Sequence, residues 1–231
     1  MPTHPIIITL DGWSSCGKST LAKALAKELG YVFVDSGAMY RAVTLYFLRR
    51  GVELSDGEQV QKALAEIELG FVFNSIRGAS DIVLNGENVE SLIREMQVAE
   101  QVSKVAALAA VRKFAVQQQQ RMGASKGIVM DGRDIGTVVF PNAELKIFMT
   151  ADQETRVQRR YVELSAKDPS ISIEAVRENL ARRDHMDATR EESPLRQAPD
   201  AKVLDNTSLT PAAQLEIALG WAREAISKGA C

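Results

Sequence analysis

Eight residues near the start of the chain constrain its fold more than any others: Gly12 to Ser19 reads G-W-S-S-C-G-K-S. The segment satisfies every fixed position of the phosphate-loop pattern G-x-x-x-x-G-K-[ST]. Its flanks fit as well. Pro5 to Asp11 (P-I-I-I-T-L-D) is a β-branched run that predicts a buried strand. Ser19 to Leu29 carries Leu21, Ala22, Leu25, Ala26 and Leu29 at helical spacing, with Gly30 as a stop. A strand that enters a glycine-rich turn and leaves it as a helix aims backbone N–H groups at phosphate oxygens, with the positive end of the helix dipole behind them. Gly12, Trp13, Ser14, Ser15, Cys16, Gly17, Lys18, Ser19 and Thr20 are therefore the expected triphosphate cradle. Within it, Lys18 is expected to reach the β and γ phosphates and the Ser19 hydroxyl to ligate Mg²⁺.

The remaining pattern alternates. Tyr31 to Val34 predicts a second strand, and Asp35-Ser36-Gly37 opens a helix running to about Arg50. Gly127 to Asp131, Glu144 to Met149 and Lys202 to Asp205 predict further strands, while Gln153 to Ala166, Ile173 to about Met186 and Pro211 to Ile226 predict helices. Alternation of this kind implies an α/β fold with a parallel sheet covered on both faces. The middle differs. Glu68 to Phe73 and Asp81 to Leu84 read as antiparallel strands around a turn from Ser75 to Ser80 that contains Gly78. Asn85-Gly86 is a second turn, and Val89 to Arg121 is helical and Ala-rich. Roughly Ser55 to Gln97 thus reads as an inserted subdomain. Thr189 to Pro199 holds charges and prolines without an apolar period, so it predicts a loop. Asp131, at the end of an apolar strand, stands where a Walker B carboxylate orders Mg²⁺ or its waters.

Composition excludes more than it selects. The 231 residues are 45% hydrophobic and 25% charged, with a net charge of −2, so no global positive field points to a nucleic-acid polymer or an anionic membrane. No stretch approaches the roughly 20 apolar residues of a membrane span. Met1 to Pro5 lacks the basic segment of a signal peptide, and a cytoplasmic location is expected. Cys16 and Cys231 are too few and too far apart for a disulfide framework or a zinc site. The N-K-x-D guanine reader of GTPases is absent. The arginines are more informative. Arg41 and Arg133 follow turns at strand ends, Arg156, Arg159 and Arg160 share a helix, and Arg182, Arg183 and Arg190 lie toward the Thr189–Pro199 loop. Guanidinium forks match phosphate oxygens bidentately, and an enzyme that joins two anions must neutralise both away from water. Surface ion pairs, such as Arg156 and Arg159 with Glu154 and Glu163, are the competing explanation for the helical ones.

Three further segments carry a family resemblance: D-S-G-A-M-Y-R (Asp35 to Arg41), D-G-R-D-I-G-T-V-V-F-P (Asp131 to Pro141) and R-D-x-x-D-x-x-R-x-x-S-P-L (Arg183 to Leu195). With L-D-N-T (Leu204 to Thr207), they resemble the bacterial cytidylate kinases along the whole chain. The phosphate loop departs from the family's common G-P-S-G-x-G-K-G-T at Trp13, Ser15 and Ser19, but keeps Gly12, Gly17, Lys18 and Thr20.

The resemblance implies a P-loop NTPase with an adenylate-kinase-like parallel sheet flanked by helices, an inserted NMP-binding subdomain and a lid. As one kinase domain over residues 1–231, its core would be 1–54, 98–155 and 196–231, its insertion about 55–97 and its lid about 156–195. It implies an ATP- and Mg²⁺-dependent nucleoside monophosphate kinase of pyrimidine nucleotide metabolism, monomeric and cytoplasmic. The implied reaction converts CMP or dCMP to CDP or dCDP, with ATP giving ADP. Lys18, Arg133, Arg183 and Arg190 would be catalytic. Ser36, Arg112 and Asp134 would read cytosine; Tyr40, Arg41, Arg133 and Arg190 would hold the CMP phosphate; Ser103, Arg183 and Asp187 would meet the ribose. Ser19 and Asp131 would hold Mg²⁺, the latter through water, and backbone near Asn206 and Thr207 would read adenine. A kinase of another acceptor, such as UMP, shikimate or a nucleoside, and a non-catalytic nucleotide-binding module are the alternatives. Asp134 discriminates among acceptors, because a carboxylate accepts from the cytosine N4 amine but opposes the O4 acceptor of uracil.

Overall fold

In the computed structural model, which describes residues 4–74, 79–166 and 168–229, the initial β-branched run forms β1 (Ile7–Gly12). Every residue of β1 after Ile7 is buried, as a central strand covered on both faces requires. The chain continues through α1 (Lys18–Leu29), β2 (Val32–Asp35), α2 (Ser36–Arg50), α3 (Gly57–Ala65), β3 (Leu69–Asn74), β4 (Ala79–Leu84) and β5 (Glu87–Asn88). A 3₁₀ turn at Leu92–Arg94 leads to α4 (Met96–Ala107) and α5 (Ala109–Met122). Then come β6 (Ile128–Asp131), a π-helical turn at Ile135–Val139, β7 (Leu145–Thr150), α6 (Gln153–Ser165), α7 (Ile173–Thr189), β8 (Lys202–Asp205) and α8 (Pro211–Lys228).

The chain divides into two compact units, Met1–Val32 with Lys126–Cys231, and Phe33–Ser125. The five-stranded sheet runs β2-β6-β1-β7-β8, and β2 joins it where the Val32 N–H donates to the Gly127 carbonyl. Parallel pairing sets Leu10 beside Asp131 on β6 and beside Ile147 on β7. The carboxyl end of β1 therefore opens between two strand ends, where open α/β sheets bind ligands. Helix α1 packs on β6 and α8, and α6 packs on α7. The α6–α7 pair has an apolar core of its own in Val157, Val176 and Leu180, all buried.

In the second unit, β3 and β4 pair antiparallel from Leu69 with Leu84 to Asn74 with Ala79, and β5 adds to β4. Buried Asp81 ties the three strands by accepting from Asn74 and Asn88 side-chain amides at 2.8 and 3.0 Å. Of the turn expected at Ser75 to Ser80, the part from Ser75 to Gly78 lies outside the described residues, as does Cys231.

Two findings depart from the sequence reading. Helix α3 forms where no element was expected, because Asp56 caps it by accepting from the Glu58 and Gln59 N–H groups, both at 3.0 Å. The Ala-rich stretch is not one helix: residues 87–94 join β4 or turn, and extended backbone at Leu108 separates α4 from α5. Among the described residues no helix is long and apolar enough to cross a membrane.

Candidate active site

The phosphate loop takes its shape from backbone that side chains resist. Gly12 has φ +145°, and a Cβ there would lie 2.0 Å from the Met149 carbonyl oxygen of β7, so only glycine lets the loop leave the sheet. Ser15 also lies at positive φ (59°). Lys18, buried, donates from Nζ to the Trp13 carbonyl at 2.6 Å, closing the loop on itself. Burial, and then the neighbouring Arg133, lower the pKa of its ammonium. Cys16 is a free, fully buried thiol that donates to the same carbonyl at 3.0 Å, which makes it a packing residue of the loop. From the end of β8, buried Asn206 donates to the Cys16 carbonyl at 2.7 Å and accepts from Arg159 at 3.0 Å.

Ser19 Oγ donates to Asp131 Oδ2 at 2.6 Å. The two residues expected to serve Mg²⁺ thus present a hydroxyl and a carboxylate oxygen side by side, the hard donor set this ion takes. Among the described residues no group of three His, Cys, Asp or Glu side chains forms a cage. That pair fits an ion completed by phosphate and water.

After β6 the chain presents Arg133 and Asp134, then enters the π-helical turn. Asp11, the last side chain of β1, accepts from the Ile135 and Gly136 N–H groups at 2.8 and 2.7 Å. Burial pushes its carboxyl pKa up to about 6 against the pull of these two bonds, with Asp134 adding repulsion. Gly136 is required by proximity: a Cβ would sit 2.8 Å from Thr9 Oγ1. So anchored, Arg133 donates to Asp187 Oδ2 at 2.7 Å and to Ser14 Oγ of the phosphate loop at 3.0 Å. Arg190 lies 3.6 Å from Asp134 Oδ1 and 3.5 Å from Asp187 Oδ1, and its guanidinium is held by the Ser193 carbonyl. Burial opposes ionisation of Asp187, but Arg133, then Arg190 and Arg183, hold its pKa below the ordinary carboxylate value. Four expected residues, Arg133, Asp134, Asp187 and Arg190, therefore form one charged cluster at the mouth of the loop. Arg183, half-buried, joins it through its field.

The remaining expected residues belong to the second unit. Asp35 caps α2 by accepting from the Ala38 N–H at 2.9 Å and pairs with Arg41 at 3.1 Å and Arg94 at 3.3 Å. Burial would raise its pKa, but Arg41 and then Arg94 keep it low. Arg112, buried, stacks 5.4 Å over the Tyr40 ring and donates to the Ala106 carbonyl at 3.2 Å. Ser36 is buried at the first turn of α2, and Ser103 is half-buried on α4.

The competing explanation for the helical arginines, ion pairs of Arg156 and Arg159 with Glu154 and Glu163, is not what the structure holds. Arg156 pairs with Asp184 and Arg159 binds Asn206, while Glu163 pairs with Arg160 and Glu154 with Arg177. Sequence reasoning gave no site role to the side chains of Asp11, Asp35, Arg94 and Asp184, and named Asn206 only for its backbone. Asp11 had a legible signal, a charge ending an otherwise apolar strand; the others are recognisable only by their partners.

Sheet, loop and arginines together define a nucleotide-binding phosphotransferase of the P-loop class. The crystal structure of a shikimate kinase from Bacteroides thetaiotaomicron shares the fold, with a TM-score of 0.50 at 11% identity, over 96% of this chain and 98% of that one. The cytidylate kinase family model matches residues 8–223, and the chain belongs to that family. Among its curated relatives, the cytidylate kinase of Bacteroides fragilis is 52% identical over 224 residues, covering 96% of this chain and 98% of the relative. That of Parabacteroides distasonis is 54% identical over 226 residues, covering 96% and 97%.

Proposed function

We propose that the chain transfers the γ-phosphoryl group of ATP to CMP or dCMP, yielding ADP and CDP or dCDP. The observation that carries this reading is the Arg133–Asp187–Arg190–Asp134 cluster beside the phosphate loop, in a member of the cytidylate kinase family. It sets cations for phosphate and a carboxylate for a base amine next to a triphosphate cradle.

Residues Gly12 to Thr20 hold the ATP phosphates. Lys18, Arg133, Arg183 and Arg190 neutralise charge during transfer. Tyr40, Arg41, Arg133 and Arg190 serve the CMP phosphate, Ser36, Arg112 and Asp134 the cytosine, and Ser103, Arg183 and Asp187 the ribose. Ser19 and Asp131 would hold Mg²⁺, which would supply positive charge against that of the transferring phosphates. A CMP phosphate oxygen is already nucleophilic, so no strong base is needed. It forms a bond to the γ-phosphorus while the bond to the β–γ bridging oxygen breaks, and ADP departs with that electron pair. The protein contributes positioning, charge neutralisation and exclusion of water, the last by a lid of about residues 156–195 closing over the donor. The insertion of about 55–97 is assigned to the monophosphate. We place the enzyme in the cytoplasm, as a monomer.

The test is ADP release with ATP and Mg²⁺, offering CMP, dCMP, UMP, AMP and GMP in turn. CMP and dCMP are expected to lead. Asp134→Ala is expected to cut kcat/KM for CMP roughly tenfold or more, while UMP changes little. Equal losses for both would remove the base-reading role, and inert monophosphates would remove the kinase reading.

A further inference from the structure

Helix α7 carries a residue that breaks its own pattern. Val176 and Leu180 form the buried stripe that packs on Val157 of α6. The next position of that stripe, four residues on, is Asp184, a carboxylate where the spacing calls for an apolar side chain. Its side chain is only 13% exposed, and both oxygens are engaged. Oδ1 accepts from the Ser14 N–H of the phosphate loop at 3.2 Å, and Oδ2 pairs with Arg156 Nη1. Arg156 is fixed in turn by the Ala151 carbonyl at 3.2 Å and lies 6.0 Å from the centre of the Trp13 ring. Trp13, Gln153, Arg156, Leu180, Ala181 and Asp184 line a cavity of 240 Å³ at this junction.

A loop N–H and a guanidinium N–H are the donors that a phosphate oxygen takes at such loops. Asp184 presents a carboxylate oxygen to each of them. A triphosphate brought to the loop meets a carboxylate of its own sign that already occupies these donors. The two anions compete for Ser14 and Arg156, and a phosphate that takes them breaks one of two ties between α7 and the loop, the other running from Asp187 through Arg133 to Ser14 Oγ.

We propose that Asp184 is a positioning residue that competes with the donor phosphates, so that ATP binding passes Arg156 from carboxylate to phosphate and breaks the tie that Asp184 makes between α7 and the loop. This rests on the assignment of the loop to ATP. It differs from a simple brace in sign. A brace, once removed, loosens the loop and weakens ATP; a competitor, once removed, strengthens it.

The experiment is calorimetric titration of ATP, and of inorganic tripolyphosphate, into the full chain and its Asp184→Asn and Asp184→Glu variants. Asp184→Asn keeps the shape but discards the charge, and is expected to bind both ligands about tenfold more tightly, the equivalent of one charge-assisted hydrogen bond. Asp184→Glu restores the carboxylate and is expected to return affinity toward that of the parent. In an Arg156→Met background the Asp184→Asn gain is expected to vanish, because the contested cation is gone. Emission from Trp13, isolated by Trp221→Phe, is expected to change on ATP addition in the parent and to be already shifted in Asp184→Asn. Unchanged or weaker ATP binding in Asp184→Asn overturns the competition. Should that variant fail to fold, Asp184→Ser removes the carboxylate without facing an amide to Arg156, and the same outcome there decides the same way. Failure of the parent to bind ATP would instead defeat the loop assignment.

Discussion

Replacing Asp11 by asparagine separates holding the site from stabilising the fold. The Asp11 carboxylate is 4% exposed, accepts two backbone N–H groups, and has its pKa raised from 3.8 to about 6 by burial. Between those two values the folded chain keeps a proton that the unfolded chain has released, so stability falls as pH rises through this window. Integrating the linkage, this one group favours the fold by about 1.4 kcal/mol more at pH 5 than at pH 7.5. Asparagine does not titrate and loses that difference. At pH 7.5 two larger effects oppose each other. The variant is relieved of a buried charge, but its amide faces one N–H with another, which costs about 1–3 kcal/mol. Net stability at pH 7.5 is therefore expected to change little, while Arg133 and Asp134, on the segment Asp11 anchors, lose their placement and the KM for CMP rises. Urea unfolding of both proteins at pH 5 and 7.5, with CMP kinetics at the higher pH, measures all three quantities. The stability difference between parent and variant is expected to widen by about 1.4 kcal/mol at pH 5, with the variant the weaker. Parallel stability at the two pH values would refute the buried-charge reasoning, and unchanged CMP kinetics would refute the anchoring role.

Two further substitutions test neighbouring parts of the site. Lys18→Met, which removes a buried ammonium whose bond closes the phosphate loop, is expected to lower kcat by roughly 10²–10³ while far-UV circular dichroism stays that of the parent. Gly136→Ala places a Cβ 2.8 Å from Thr9 Oγ1 and is expected to cost about 1–3 kcal/mol by thermal or urea unfolding. Adding Thr9→Ala to the same chain should recover part of that loss, and no recovery would place the clash elsewhere.

What the sequence made legible follows from how local each signal is. The phosphate loop and its flanks could be read because strand, turn and helix chemistry lie within about two dozen consecutive residues. The last strand, Lys202 to Asp205, was bounded correctly for the same reason. Helix α3 carries its own local signals, the Asp56 cap and the spacing of Val60, Ala63 and Leu64, but at nine residues it offers few turns over which a helical period can be recognised. The break at Leu108 has no local mark at all: leucine is a good helix former, and its extended backbone is a matter of packing. The arginines were legible as a class but not by partner. Arg156 has a glutamate two residues before it, yet its partner is Asp184, 28 residues away, since a neighbour at i−2 points off the opposite side of the helix.

Those partners also explain how a chain of net charge −2 suits two polyanionic ligands. Beside the loop three guanidinium groups have carboxylates assigned to them, Asp187 to Arg133 and Arg190, and Asp184 to Arg156. The second unit, taken by itself, repeats the device with Asp35 between Arg41 and Arg94. Guanidinium groups left together would repel one another and scatter into solvent. Paired with half-buried carboxylates, they are held in fixed directions before any nucleotide arrives, and little reorganisation remains for the reaction itself. The cost is that each carboxylate also opposes any anion brought to its arginine. Affinity is thereby traded for orientation, and the balance suits an enzyme that must release a diphosphate at the end of every turnover as readily as it gathers a triphosphate at the start.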